Sequence, residues 1–117
     1  MSMNHTVYFC TKHQTPFIDG KCPSCLPRRK QHPVFSGVMN YFPDAIMSVA
    51  HCSYVGNEQH NPGEKLNWSR HKSNDHMDAA ARHMLQHEEI DDDGVPHLTK
   101  AAWRLLAQLQ LFLEEIK

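Results

Sequence analysis

Apolar residues recur at helical spacing in the second half of the chain, and the clearest case is Ser73 to Ile90, SNDHMDAAARHMLQHEEI. At about 100° per residue, Met77, Ala80, Ala81, Met84 and Leu85 fall on one stripe, the i, i+3, i+4, i+7, i+8 pattern of a buried helix face. Ser73 is the expected N-cap. Asn74, Asp75 and Asp78 place acceptors and negative charge in the first turns, where free N–H groups and the macrodipole favour them. His76, His83 and His87 form a second stripe at one margin of the first, and Asp75, Asp78 and Arg82 lie on the outer side.

The pattern predicts two further helices. Val34 to Val55 reads as an apolar lead-in followed by a helix: Pro43 suits the first turn, Asp44 its N-terminus, and Gly56 the position just past its end. Phe42, Ile46, Val49, Ala50 and Ser53 make its inner face, while Asp44, Ser48 and His51 share another. His97 to Lys117 is the last helix, with Leu98, Ala101, Ala102, Leu105, Leu109, Phe112, Leu113 and Ile116 on a broad apolar face that Trp103, Leu106 and Leu111 widen. That width exceeds what two short partner helices cover, so a homo-oligomer, a dimer or larger, is expected. Gly56 to Lys72 has no periodicity and reads as a loop, of a length uncommon inside a compact domain unless it serves a site or is disordered. Within it Trp68 offers a flat face for stacking or a plug for the helices, and Lys65, Arg70, His71 and Lys72 can meet phosphate. Asp91 to Pro96, DDDGVP, is a turn without the ligand spacing of a calcium loop.

The amino-terminal part has a different character. Cys10-x-x-His13 and Cys22-x-x-Cys25 offer two close pairs of ligands suited to tetrahedral zinc, and Pro16, Gly20 and Pro23 fit the turns that bring them together. So short a segment has too little apolar surface to fold unaided, so zinc would supply its core, in a closed, structural role. Residues 1–30 are therefore expected to form a zinc ribbon or knuckle, and residues 31–117 a helical domain. The alternative is that Cys10 and His13 are incidental and Cys22 and Cys25 are free thiols.

Composition narrows the functional classes. With 117 residues the chain is near the lower limit for one self-sufficient core. Apolar residues at 40% and charged residues at 21% argue against disorder and against a membrane protein. A net charge of −1 gives no electrostatic reason to bind nucleic acid. No secretory leader or membrane-length apolar run is legible, so a cytoplasmic setting is expected, with the cysteines available for metal. Ten histidines are the excess that composition leaves unexplained. They suit metal ligation or acid–base chemistry as well as a merely solvated surface.

The run HNPGEKLNWSRHKSNDHMDAAARHMLQ, followed by DDDGVPHLTKAAWRLLAQLQLFLEE, resembles a family of short phage proteins named for dATP/dGTP diphosphohydrolase activity, from roughly Tyr41 to Glu115. The residues that carry it are Gly56-Asn57, Asn67-Trp68, Asp78-Ala-x-x-Arg82-His83, and Gly94-x-x-His97 with Trp103. The resemblance implies an all-α fold, a small helical bundle like that of MazG-type pyrophosphohydrolases. It also implies magnesium- or manganese-dependent cleavage of a deoxynucleoside triphosphate to monophosphate and pyrophosphate, in an infected cell if the chain is phage-encoded. MazG-type enzymes carry an E-x-x-E pair where the first helix here offers Asp44, Ser48 and His51.

On that basis Asp75, Asp78, His83 and His97 are the expected catalytic residues, with Asp75 and Asp78, at i and i+3, able to share one magnesium ion. Arg82, Lys100, Trp68, Asn57 and Lys65 are the expected nucleotide contacts, Arg82 and Lys100 being suited to stabilising charge on the leaving group. Two other readings stay open. The same scaffold can bind and sequester a nucleotide or signalling molecule without turnover, or the helices can merely assemble a zinc-ribbon adaptor for protein or nucleic acid.

Overall fold

The computed structural model describes residues 7–18 and 29–116, which form two compact units, Met1–Tyr41 with Leu111–Lys117, and Phe42–Gln110. In the first unit, strands β1 (Val7–Cys10) and β2 (Thr15–Ile18) form an antiparallel hairpin, with Val7 opposite Ile18 and Cys10 opposite Thr15. Tyr8 and Phe17 face each other across it, ring centroids 5.4 Å apart, the kind of aromatic pair that stabilises a two-stranded ribbon. Gln14 closes the turn in a left-handed conformation (φ 58°), with its N–H on the Cys10 carbonyl. Its amide nitrogen donates to the carbonyls of Thr11 and Leu113. A short 3-10 turn at Arg29–Gln31 and a π-helical turn at Phe35–Met39 follow.

The expected helical fold is therefore mostly, though not wholly, realised: the sheet is small and confined to this end of the chain. Cys10 and His13 flank the hairpin turn, whereas Cys22 and Cys25 lie outside the described residues.

The second unit is helical. Helix α1 spans Pro43–His60, α2 His76–Leu85 and α3 His97–Glu115, the last running on beyond the unit. Pro43 begins α1, as its sequence position predicts, because a missing N–H goes unused there. The expected stop at Gly56 is corrected: α1 continues for another turn to His60. The extra turn carries Asn57, whose buried side chain donates to the Glu64 carbonyl and accepts from the Asn67 N–H. The tertiary contact repays extending a helix across a glycine.

Helix α2 also departs from the pattern. It starts at His76, not beside Ser73, and ends at Leu85, not Ile90. Ser73 does not cap it, because its hydroxyl donates to Asp75 and accepts from Arg104. The early end follows from the next turn, which is held by Asp91 N–H to Val95 carbonyl, Gly94 N–H to Asp91 carbonyl and His97 N–H to Glu89 carbonyl. Gly94 adopts φ 85°, which only glycine takes without strain, and Val95 is almost wholly buried behind it.

The buried face of α2 is His76, Ala79 and Ala80, so the expected stripe of Met77, Ala81, Met84 and Leu85 is corrected to an exposed one. Small residues explain the rotation. Alanines 79, 80, 101 and 107 are buried and let backbones approach, while Leu98, Leu105, Leu106 and Leu109 of α3 stay exposed. Helix α3 meets α1 through polar bonds, Ser48 to Thr99 at 2.7 Å and the Trp103 indole N–H to Ser53 at 2.7 Å. Among the described residues no helix is long and apolar enough to cross a membrane.

Candidate functional site

The end of α1, the loop after it, α2 and the start of α3 line an open cavity of about 590 Å³. That is the size range of a small-molecule site. Asn57 at its wall pins the loop from both sides, so Trp68 is carried to a fixed place. There the Trp68 indole meets Trp103 edge-on, centroids 5.9 Å apart at 81°, and Arg70 lies 4.6 Å above its ring. The two indoles make an apolar corner.

One end of the cavity is cationic. Arg104, one turn beyond Lys100 on α3, donates to Ser73 Oγ at 2.9 Å and to His76 Nδ1 at 3.2 Å, and its guanidinium stands 3.8 Å from Asp75. Because His76 Nδ1 accepts, its proton sits on Nε2. That N–H is buried, in a residue that lines the cavity, and has no hydrogen-bond partner among the described residues. Burial, aided by Arg104, lowers the His76 pKa, so the ring stays neutral and a donor at neutral pH. An unpaired buried donor beside a guanidinium calls for an acceptor from outside the chain.

The other end is anionic on balance. Lys100 Nζ bridges Asp91 Oδ2 at 2.6 Å and Asp93 Oδ2 at 2.7 Å, one positive charge against two negative. Gln59 and the Val95 N–H also bond Asp93. The Lys100 ammonium holds the Asp93 carboxyl down at about 2, against an ordinary 3.8. Burial works against the charge on Lys100, but the two carboxylates more than offset it and raise its pKa. Because the Asp93 pKa is depressed by folding, its contribution to stability is complete above pH 3.8 and lost as pH falls towards about 2. Lys100→Met is expected to flatten that acid limb, measured as the change in melting temperature across the window. An unchanged slope would show that Lys100 does not hold the turn.

Between these ends His83 lines the cavity and places Nδ1 2.8 Å from Nδ1 of the buried His97, whose Nε2 is 3.9 Å from Asp91 Oδ1. Burial first, then the neighbouring His97 and Lys100, lowers the pKa of His83, which keeps its ring neutral.

Of the residues the sequence singles out, Asn57, Trp68, His83 and Lys100 line this cavity, and His97 stands directly behind His83. Lys65, Asp75, Asp78 and Arg82 do not line it, and all four are exposed. Asp75 is bonded to Ser73 at 2.7 Å and Arg82 at 3.3 Å, bonds that lower its pKa. His76, Arg104, Asp91 and Asp93 are the residues that sequence reasoning passed over. Lys100 and Arg104 at i and i+4 on the last helix were a legible sign of a charged face turned inward, and His76 stood on the histidine stripe of its helix without being given a role.

In Cys10-x-x-His13, the Cys10 sulfur lies 3.5 Å from His13 Nδ1.

The second unit is thus a mostly helical domain around a cavity with an indole corner, a cationic end and a carboxylate end. Comparison with family models makes the assignment sharper. The chain belongs to the dATP/dGTP diphosphohydrolase, N-terminal family, whose model matches residues 28–117. The hairpin lies outside that match. No curated protein and no solved structure matches the chain.

Proposed function

We propose that the cavity binds a (deoxy)nucleoside triphosphate and that the domain cleaves it to monophosphate and pyrophosphate with a metal-activated water. The observation that carries this reading is the buried, unpartnered Nε2–H of His76 beside Arg104, a built place for a phosphate oxygen. The Trp68–Trp103 corner offers the base a wall to pack against, and Asn57, whose side chain fixes the loop, keeps that wall in register. Arg104 and His76 orient the phosphate chain and take up charge that grows on the leaving pyrophosphate. Lys100, already neutralised by two carboxylates, holds the turn more than it attracts anions. A divalent cation, when bound, would supply charge neutralisation and a more acidic water.

A second reading, binding without turnover, is favoured by one observation. Asp93, the carboxylate at the cavity wall, is already bonded to Lys100, Gln59 and the Val95 N–H, which leaves it little freedom to act as a base. A panel of deoxynucleoside triphosphates, incubated with magnesium, with manganese and without metal and then separated by chromatography, tests both. Monophosphate and pyrophosphate in equal amounts are expected. Tight binding without product in every condition would establish the second reading, and no binding at all would overturn both.

Two further properties belong to this proposal. Cys10, His13, Cys22 and Cys25 would hold a structural zinc ion, a reading supported by the close approach of Cys10 and His13. Cobalt added in place of zinc should give the near-ultraviolet absorption of thiolate-bound metal, and its absence would remove the ribbon. The chain would also assemble as a homo-oligomer, since Leu85 is 86% exposed and Leu106 and Phe112 are 52% exposed, large apolar groups that a partner copy would cover.

A further inference from the structure

We propose that His83, Asp91 and His97 form a binding site for a divalent transition-metal ion, separate from the amino-terminal cysteines and from Asp75 and Asp78. One donor atom from each of the three lies within 4.8 Å of the other two. The residues come from three places in the chain, which chance proximity along a helix does not explain. His83 is in the last turn of α2, His97 opens α3, and Asp91 sits in the turn between them. The main-chain bonds of that turn, Asp91 N–H to Val95 carbonyl and His97 N–H to Glu89 carbonyl, fix Asp91 against His97 before any ion arrives.

The distances suit an ion. Two imidazole nitrogens each about 2.0–2.1 Å from one metal, at angles between a right angle and the tetrahedral value, stand about 2.9–3.3 Å apart. His83 Nδ1 and His97 Nδ1 are 2.8 Å apart, so a small outward movement admits the ion. The other occupant of that gap is a single proton shared between the two rings.

Charge points the same way. Asp91, Asp93 and Lys100 sum to −1, and the Lys100 ammonium occupies Asp91 Oδ2, while Oδ1 lies 3.9 Å from His97 Nε2, the ring nitrogen on the side away from His83. Two imidazoles and a carboxylate select zinc, cobalt, manganese or iron(II) over magnesium and calcium, which prefer oxygen donors throughout. Three protein ligands leave positions open for water or a ligand oxygen. Of the three, His83 lines the cavity. The site does not rest on the nucleotide reading and is tested without any nucleotide.

Cobalt(II) alone is titrated into the full chain, followed by calorimetry and by absorption. Beyond any thiolate-bound equivalent, one equivalent with visible ligand-field bands and no thiolate charge transfer is expected. His83→Gln should weaken that equivalent at least about tenfold, the lower bound for disturbing a metal site's ligands, while the exposed His87→Gln binds as the wild type does. Identical binding by His83→Gln, or cobalt uptake confined to the thiolate bands, would overturn the proposal. Wild-type protein gives an independent reading that no folding defect can blur. On adding zinc, the ring-nitrogen resonances of His83 and His97 should move together while that of exposed His51 stays, and unmoved resonances would equally defeat the site.

Discussion

Replacing Arg104 by alanine is expected to weaken nucleotide binding roughly 100-fold, the largest loss of any single substitution at the cavity. A charge-assisted hydrogen bond contributes about 1.5–3 kcal/mol, and Arg104 supplies both its own contact and the order of its neighbours. Its guanidinium fixes His76 Nδ1 as an acceptor and so keeps the proton on the buried Nε2; it also holds Ser73. With alanine there, His76 is free to move its proton to the other nitrogen and turn away. Arg82→Ala is the informative partner experiment. That side chain is exposed and lies on Asp75 outside the cavity, so binding should change by less than about threefold, in keeping with the small worth of a surface ion pair. Direct calorimetry on both variants decides the matter. If Arg82 proved as costly to lose as Arg104, the phosphate chain would have to lie along the outer side of α2.

Asn57→Ala is expected to lower stability by about 2 kcal/mol, two net hydrogen bonds at about 1 kcal/mol each, and the melting temperature by roughly 8 °C. Asn57 is 7% exposed, and its amide grips both arms of the loop, at the Glu64 carbonyl and the Asn67 N–H. The freed backbone groups lie near the surface and can be rehydrated, which keeps the loss at this level. The same variant releases Trp68 from the Trp103 edge, so tryptophan emission should shift to the red before the helices melt. Asn57→Asp keeps the acceptor for Asn67 but loses the donor to Glu64, and an intermediate melting temperature is the expected outcome. A variant that melts within about 2 °C of the wild type, with unchanged emission, would mean the loop is held by something other than Asn57.

Helix existence was legible because it depends on local pattern, and helix facing was not because it depends on partners. The start of α1 at Pro43 follows from one residue that has no N–H to waste. The rotation of α2 follows from Ala79 and Ala80 packing closely while His76 is drawn to Arg104, some 28 positions along the chain. Periodicity weighs a methionine above an alanine as a core residue, and this fold buries the alanine. Asp75 and Asp78 looked like a metal pair because i, i+3 spacing puts two carboxylates on one helix face. The same spacing says nothing about whether that face meets a cavity.

By itself the sequence determined three helices, a long loop between the first two, the cysteine and histidine pairs at the amino end, and the family to which residues 28–117 belong. Each is encoded in neighbours within a few turns of chain. Only the tertiary structure decided that His76 and Arg104 meet, that Lys100 is shared between Asp91 and Asp93, and that His83 faces His97. Those pairings join residues from separate elements. The physical reason is that a buried polar group must find its partner wherever the fold brings one, and sequence spacing does not record that distance.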